Sequence, residues 1–196
     1  MPKVVDHEAR RKFFIDAAYE SILEDGLAKT TIRSVAKRAG FTTGALVHYF
    51  KDKEELIRQV LEADGSKVRS KMVDAQQTFK GRVALRKVLL EALPKDKKSS
   101  ARWRIWLALW YHSEGHPEMR KEERRRYKEW IGRISEMLNE SIELGELPDK
   151  FDVAGEAKAL VALADGLGVQ YLMANGRLSG KQITQIIDSN LARLYS

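Results

Sequence analysis

The stretch TIRSVAKRAGFTTGALVHYF, residues 31–50, decides the fold. Thr31 is placed to cap a short helix, and Gly40 gives the following turn a residue that tolerates positive φ. Ala36 is small enough for two helices to touch where they cross at a steep angle. Leu46 is spaced to face a core, which leaves the other side of the second helix small or polar, as entry into a DNA major groove requires. The pattern therefore predicts a helix-turn-helix.

The same spacing also fits a helical hairpin with a purely structural role. The local charge favours nucleic-acid binding, because Lys29 to Lys53 contains six basic residues and one acidic residue, Asp52. The net charge of +7 for the whole chain does not locate the site, since residues 56–126 hold eighteen basic residues against nine acidic ones.

Helical periodicity dominates the rest of the chain, and no segment alternates as a strand does. We predict an all-α protein of about nine helices, with a helix-turn-helix domain in residues 1–52 and a helical bundle in residues 53–196. The polar segment 95–100, after Pro94, is expected to be a loop. The chain has no cysteine and no apolar run long enough to span a bilayer, so we expect a cytoplasmic protein without disulfides. We expect no cofactor.

The motif continues as HYFKDKEEL, residues 48–56. A helix-turn-helix closed by an aromatic pair and then by Lys, a small polar residue, Lys and Glu resembles the TetR family of repressors, over residues 8–62. The strings WLALW at 106–110 and ADGL at 164–167, with His116-Pro117 between them, resemble its BetI-like subgroup. The resemblance implies a homodimer that binds a palindromic DNA operator and is released from it by a small-molecule effector.

The resemblance also implies DNA contacts, residue by residue. The positions that match base-reading residues are Arg33, Thr43, Gly44 and Val47. The positions that match phosphate-binding residues are Tyr49 and Lys53, with Thr42, Ala45 and His48 nearby. Val47 departs from the pattern, because the family often has an aromatic residue there. Valine offers only apolar contact, for instance with a thymine methyl group, so Arg33 is the best candidate for a direct guanine contact.

An effector site is predicted in the C-terminal bundle. Trp103, Trp106 and Trp110 fall on one helical face, and aromatic walls hold apolar ligands or, through cation–π attraction, a cation. For each indole taken alone, a place in a packed core is the favoured interpretation. The predicted lining residues are Met72, Phe79, Trp103, Trp106, Trp110 and Asp165. Asp165 lies in a small, apolar stretch, where it either anchors a cationic ligand or forms a hydrogen bond to a tryptophan indole or across a dimer.

The last two predicted helices, residues 152–173 and 179–194, are rich in small and apolar residues, and we expect them to form the dimer interface. The long helix after Lys53 is expected to connect a phosphate-binding end to the effector site. A constitutive DNA-binding protein without an effector is the main alternative function. An all-helical enzyme is a weaker alternative, because the sequence shows no catalytic constellation. His112 and His116 are interpreted as a helix-end pair rather than as metal ligands.

Overall fold

The computed structural model describes residues 6–94, 96–173 and 178–196. In these residues the chain forms nine α-helices, one 3₁₀ turn and no strand, which confirms the all-α prediction. The α-helices are α1 (His7–Asp25), α2 (Ile32–Arg38), α3 (Thr43–Val47), α4 (Lys53–Thr78), α5 (Gly81–Ala92), α6 (Lys97–His112), α7 (Pro117–Glu143), α8 (Val153–Met173) and α9 (Gly180–Leu194). The 3₁₀ turn Ser113–Gly115 lies between α6 and α7.

Capping hydrogen bonds and a glycine turn set the ends of the helices in the helix-turn-helix. Thr31 and Ser34 form a reciprocal capping box at the start of α2, and the Thr42 hydroxyl accepts a hydrogen bond from the Ala45 backbone N–H at the start of α3. Gly40, in the turn between them, has φ of +73°. Residues with a Cβ rarely adopt this conformation, so the predicted reason for a glycine here is confirmed. Helix α3 ends at Val47.

Helix α4 begins with a modified capping box at Asp52 and Glu55. The Glu55 backbone N–H donates to Asp52 Oδ1 at 2.8 Å, as the sequence pattern predicts. The Glu55 carboxylate, however, accepts from the backbone N–H of Lys51 at 2.9 Å, one residue earlier than in the usual box. Its other oxygen lies 3.3 Å from the Arg11 guanidinium. Glu55 therefore ties the turn between α3 and α4 to α1.

The prediction of a loop over residues 95–100 is wrong, because α6 already begins at Lys97. Asp96 caps this helix, since the Ser99 backbone N–H donates to Asp96 Oδ1 at 2.7 Å and the Asp96 backbone N–H donates to Ser99 Oγ at 3.0 Å. The first turn of a capped helix is polar, and that polarity concealed its start. Lys95 lies outside the described residues.

The helices divide into two compact units, of which the first contains residues 6–66 and 104–119. Its core contains Phe14, Val35, Leu46 and Phe50 from the helix-turn-helix region, all at most 1% exposed. The same core includes apolar side chains from the start of α4 and from the second half of α6: Leu56, Ile57, Val60, Ile105 and Leu109. The helix-turn-helix therefore packs on segments that lie beyond residue 52.

The second unit contains the described residues from 67 to 103 and from 120 to 196. Its core draws on α5, α7, α8 and α9. Arg86 of α5 forms a two-pronged ion pair with Asp188 of α9, with Nε–Oδ1 at 2.5 Å and Nη2–Oδ2 at 2.9 Å. Trp103 is buried, its indole N–H donates to the Ala92 carbonyl at 2.8 Å, and its ring lies directly against Gly168 of α8.

None of the helices in the described ranges is both long enough and apolar enough to cross a lipid bilayer.

Substitution of Gly168 by alanine is expected to destabilise the protein. A Cβ at this position would overlap the Trp103 ring, which is itself held by its hydrogen bond. We expect a loss of about 1–3 kcal/mol of unfolding free energy, the usual cost of overfilling a packed core. Urea denaturation monitored by circular dichroism measures this loss of unfolding free energy.

Gly132→Ala in α7 is the matched control, because an added Cβ there has no atom within 4 Å. Alanine is favoured over glycine inside a helix by about 1 kcal/mol, so this variant should be as stable as the parent or more stable. A Gly168→Ala protein that unfolds at the same urea concentration as Gly132→Ala would show that the contact with Trp103 is not tight.

Candidate nucleic-acid interface and ligand site

The residues predicted to read bases lie on the solvent side of the helix-turn-helix. Arg33 on α2 and Thr43, Gly44 and Val47 on α3 are all exposed, whereas Leu46, between them, is completely buried. Val47 is 51% exposed, which is high for a branched apolar side chain. Its side chain is therefore available for an apolar contact with another molecule.

Gly44 and Thr42, at the start of α3, each leave a group open to a binding partner. Gly44 has only Thr42 Oγ1 near its would-be Cβ, at 3.9 Å, so packing does not require a glycine there. A glycine inside a short helix lowers its stability, and close approach of another molecule to the backbone is a common reason for one. The Thr42 hydroxyl accepts from Ala45 N at 3.2 Å, which leaves its own hydrogen free to be donated to a phosphate.

Tyr49 and His48 follow directly after α3. Tyr49 is half-buried, with its ring edge-on to Phe14 at a centroid distance of 5.3 Å and tilted against His7 at 5.7 Å. These contacts hold the phenol ring in one orientation. His48 is exposed, and Ala45, one turn earlier, is partly exposed.

Lys53 is the first residue of α4, where the positive end of the helix dipole lies. Its Nζ donates to the Leu27 carbonyl, just after α1, at 3.0 Å. An ammonium has three hydrogens, so this bond fixes the group and leaves others for a phosphate. The sequence pattern identified the residue but not this bond, because it joins positions 26 apart.

The two histidines interact with the same end of α4. His116 Nδ1 lies 2.7 Å from Glu54 Oε1, and the His112 and His116 rings are 4.3 Å apart. Burial lowers the pKa of His112, and the neighbouring charges of His116 and Lys53 lower it further. Within the described residues no group of three or more His, Asp or Glu side chains is arranged to hold a metal ion. No local pattern indicated that Glu54 is the partner of His116.

The predicted ligand-site residues fall in both units. Trp103 is a core residue of the second unit, whereas Trp106 and Trp110 belong to the first and stack on each other at 5.3 Å. Trp110 is 52% exposed. Met72 is buried in the second unit's core, and Phe79 packs against that core with Lys87 Nζ 4.1 Å from its ring centre. The assignment of these residues to one ligand site stays a prediction.

Asp165, on α8, is a partly buried carboxylate in the second unit. Its Oδ2 accepts a hydrogen bond from the Tyr127 hydroxyl at 3.0 Å, and burial raises its pKa, which the hydrogen bond partly offsets. No ion pair joins it to a cation among the described residues. Gly168, which contacts Trp103, lies one helical turn further along α8. Sequence reasoning missed Tyr127, because it lies 38 residues away on another helix.

Comparison with known proteins agrees with this arrangement. Residues 14–60 match the family described as bacterial regulatory proteins, tetR family, and residues 81–196 match the C-terminal domain of BetI-type transcriptional repressors. The HTH-type transcriptional regulator PksA of Bacillus subtilis is 30% identical over 95% of this chain and 90% of its own length. The regulator BetI of Burkholderia thailandensis is 33% identical over 100% of this chain and 98% of its own.

Solved structures show the same fold at lower identity. A putative transcriptional regulator from Saccharomonospora viridis, crystallised in complex with choline, superposes with a TM-score of 0.87 at 21% identity, over 95% of this chain and 97% of that one. A TetR transcription regulator from Haloarcula marismortui gives 0.87 at 18% identity, over 96% and 100%. Both halves of the sequence and the helical architecture thus lead to one conclusion: the chain belongs to the TetR family of helix-turn-helix transcriptional regulators, with a BetI-type C-terminal domain.

Proposed function

We propose that this protein is a repressor that binds a palindromic operator as a homodimer and leaves it when a small-molecule effector binds. The observation that carries the proposal is the division of α3, in which Leu46 is buried and Thr43, Gly44 and Val47 face solvent. A helix held from one side and bare on the other is the arrangement that major-groove reading requires. Selection of the bound sequence from a random DNA library, followed by a ligand screen for release, tests the whole proposal.

The proposed DNA contacts divide into two kinds. Arg33 and the exposed α3 residues read base edges, whereas Tyr49, Lys53 and Thr42 bind phosphates, helped by Ala45 and His48 beside them. Phosphate contacts fix the register of the protein on the duplex, and base contacts supply the preference for sequence. Support for the phosphate group comes from the fixed phenol of Tyr49 and the fixed ammonium of Lys53.

Tyr49→Phe and Lys53→Ala are expected to weaken binding to every DNA sequence by similar factors. Arg33→Ala should instead relax preference at one position of each half-site, at a cost of roughly 1–3 kcal/mol. Competition binding of each variant to the selected operator and to single-base variants of it measures both effects. A Lys53→Ala protein with altered base preference, or an Arg33→Ala protein with unaltered preference, would contradict the assignment.

The proposed dimer interface uses α8 and α9. Ala159 and Ala162 of α8 are exposed and Gly166 is half-buried, which gives this helix a smooth face for close packing against another helix. On α9, Ile186 is 38% exposed although it is a large apolar residue, whereas the neighbouring Ile187 is completely buried in its own chain. The interface is therefore proposed to contain Ile186 and not Ile187.

Ile186→Glu is expected to yield a monomer that binds the operator weakly, because the two half-sites must be held together. Val83→Glu in α5 is the control, since Val83 is 50% exposed but lies outside α8 and α9. Sedimentation equilibrium reports the oligomeric state, and gel shift reports operator binding. The interface is refuted by a dimeric Ile186→Glu protein, or by loss of the dimer in both variants.

The proposed effector is a small cation that binds at Asp165. A partly desolvated carboxylate with one phenol donor and no ion pair is a poor arrangement for stability, but it suits a ligand that brings the positive charge. The ring of Tyr127, which is 41% exposed and bonded to this carboxylate, is the kind of surface that favours quaternary ammonium groups. The choline bound by the Saccharomonospora viridis regulator makes choline the first ligand to test.

Asp165→Asn is expected to reduce choline affinity roughly tenfold or more, because it removes the charge that attracts the quaternary ammonium group in a partly desolvated site. Tyr127→Phe keeps the carboxylate and should bind within a few-fold of the parent. Because burial holds the pKa of Asp165 above its ordinary 3.8, choline affinity should begin to fall at a higher pH than for an exposed aspartate as the solution is acidified. Isothermal titration calorimetry measures each affinity.

The uncharged carbon isostere of choline, in which a quaternary carbon replaces the nitrogen, completes this test. Equal binding of choline and its isostere, or unchanged choline affinity in Asp165→Asn, would remove the carboxylate from the site.

Coupling between ligand and DNA is proposed to run through α4 and α6. Helix α4 contributes Ile57 to the first core and Met72 to the second, and α6 runs from Trp103, which is buried in the second unit, to Leu109 in the core of the first. A ligand acts as a switch only if it binds the DNA-incompetent state more tightly, and operator DNA must then weaken ligand binding by the same factor. A protein whose operator affinity no ligand changes would instead be a constitutive DNA-binding protein.

A further inference from the structure

The basic residues around the helix-turn-helix differ in whether their charged groups already form ion pairs or hydrogen bonds within the protein. Arg38, at the end of α2, lies 2.7 Å from Glu24 and 3.2 Å from Asp25, both at the end of α1. Lys53 donates to the Leu27 carbonyl. Lys37, next to Arg38 in the chain, is exposed, and its ammonium has no hydrogen-bond or ion-pair partner in the described part of the chain.

The geometry of α2 places Lys37 on the same side as Arg33. With about 100° between successive residues of an α-helix, positions four apart lie about 40° from each other around the axis. Arg38 is turned about 100° from Lys37, toward the two carboxylates of α1. The buried positions of α2, Val35 and Ala36, keep the helix from rotating about its axis. Lys37 and Arg33 therefore lie on the same exposed face of α2. Arg38 lies on a different side of the helix, next to the end of α1.

We propose that Lys37 binds a DNA phosphate in each half-site, from the first helix of the helix-turn-helix. The proposal rests on the proposed operator binding and adds a contact to it. In this motif the first helix crosses the sugar–phosphate backbone while the second enters the major groove. A hydrated ammonium without an internal partner meets a phosphate without breaking any bond of the fold, and it releases condensed counterions when it does so.

Arg38 cannot serve in the same way without losing its two carboxylates. Its guanidinium holds α2 against the end of α1, so we assign it a positioning role. Two adjacent residues of equal charge on one helix therefore have different functions, and this difference is measurable.

The experiment compares Lys37→Gln with Arg38→Gln, each of which removes one positive charge from nearly the same place. Dissociation constants are measured as a function of salt, for an operator selected from a random duplex library and for an unrelated duplex of the same length. Each phosphate contact contributes about 0.9 to the slope of log K against log salt. Lys37→Gln should reduce the slope of the dimer by about two and weaken binding to both duplexes by the same factor.

Arg38→Gln should change the slope by less than half as much, because its guanidinium is already paired with Glu24 and Asp25. Lys37→Arg keeps the positive charge, so it should have the same salt slope as the parent protein. An unchanged slope in Lys37→Gln overturns the proposal, and so does an equal loss of slope in both variants, which would reflect net charge alone. A parent protein that binds neither duplex overturns operator binding itself and this contact with it.

Discussion

Helix α3 has five residues, and an isolated helix of that length does not persist in water, because too few hydrogen bonds repay the cost of nucleation. The helix that is proposed to read DNA therefore exists only because other elements hold it. One buried side chain, Leu46, fastens it to the core, and the Thr42 cap satisfies its first turn. The rest of the first unit provides the surface against which Leu46 is buried.

Charged and polar groups add precision to that attachment. Glu55 connects the backbone of the turn before α4 with Arg11, and Lys53 connects the start of α4 with the end of α1. Arg38 does the same for α2. Exposed ion pairs contribute little to overall stability. Their use here is to set the angles between short helices, which decide whether proposed contacts on α2, α3 and α4 meet one DNA backbone.

The parts that the sequence predicted well are those controlled within a few residues. The caps at Thr31 and Thr42, the positive φ of Gly40 and the burial of Leu46 all follow from local spacing, and each is present in the structure. The family motif allowed the exposed positions of α3 to be named in advance.

The parts that the sequence did not reveal depend on which faces of distant helices meet. Helical periodicity places Trp103, Trp106 and Trp110 on one face, yet Trp103 is buried in the second unit, whereas Trp106 packs against the core of the first and Trp110 is 52% exposed. Periodicity also shows that α9 has an apolar side, but not that Ile187 is buried in its own chain while Ile186 remains exposed. The bond from Tyr127 to Asp165 has no local signal, because it joins two helices that only the tertiary fold brings together.

Gly44 sets two requirements against each other. Nothing in the packing of α3 excludes a side chain there, and a glycine is among the poorest residues for stabilising so short a helix. Stability and the proposed operator recognition therefore make opposite demands on this position, as is common at functional sites. Adaptation of this protein to a higher temperature is therefore expected to add stabilising substitutions at other positions and to keep Gly44 unchanged.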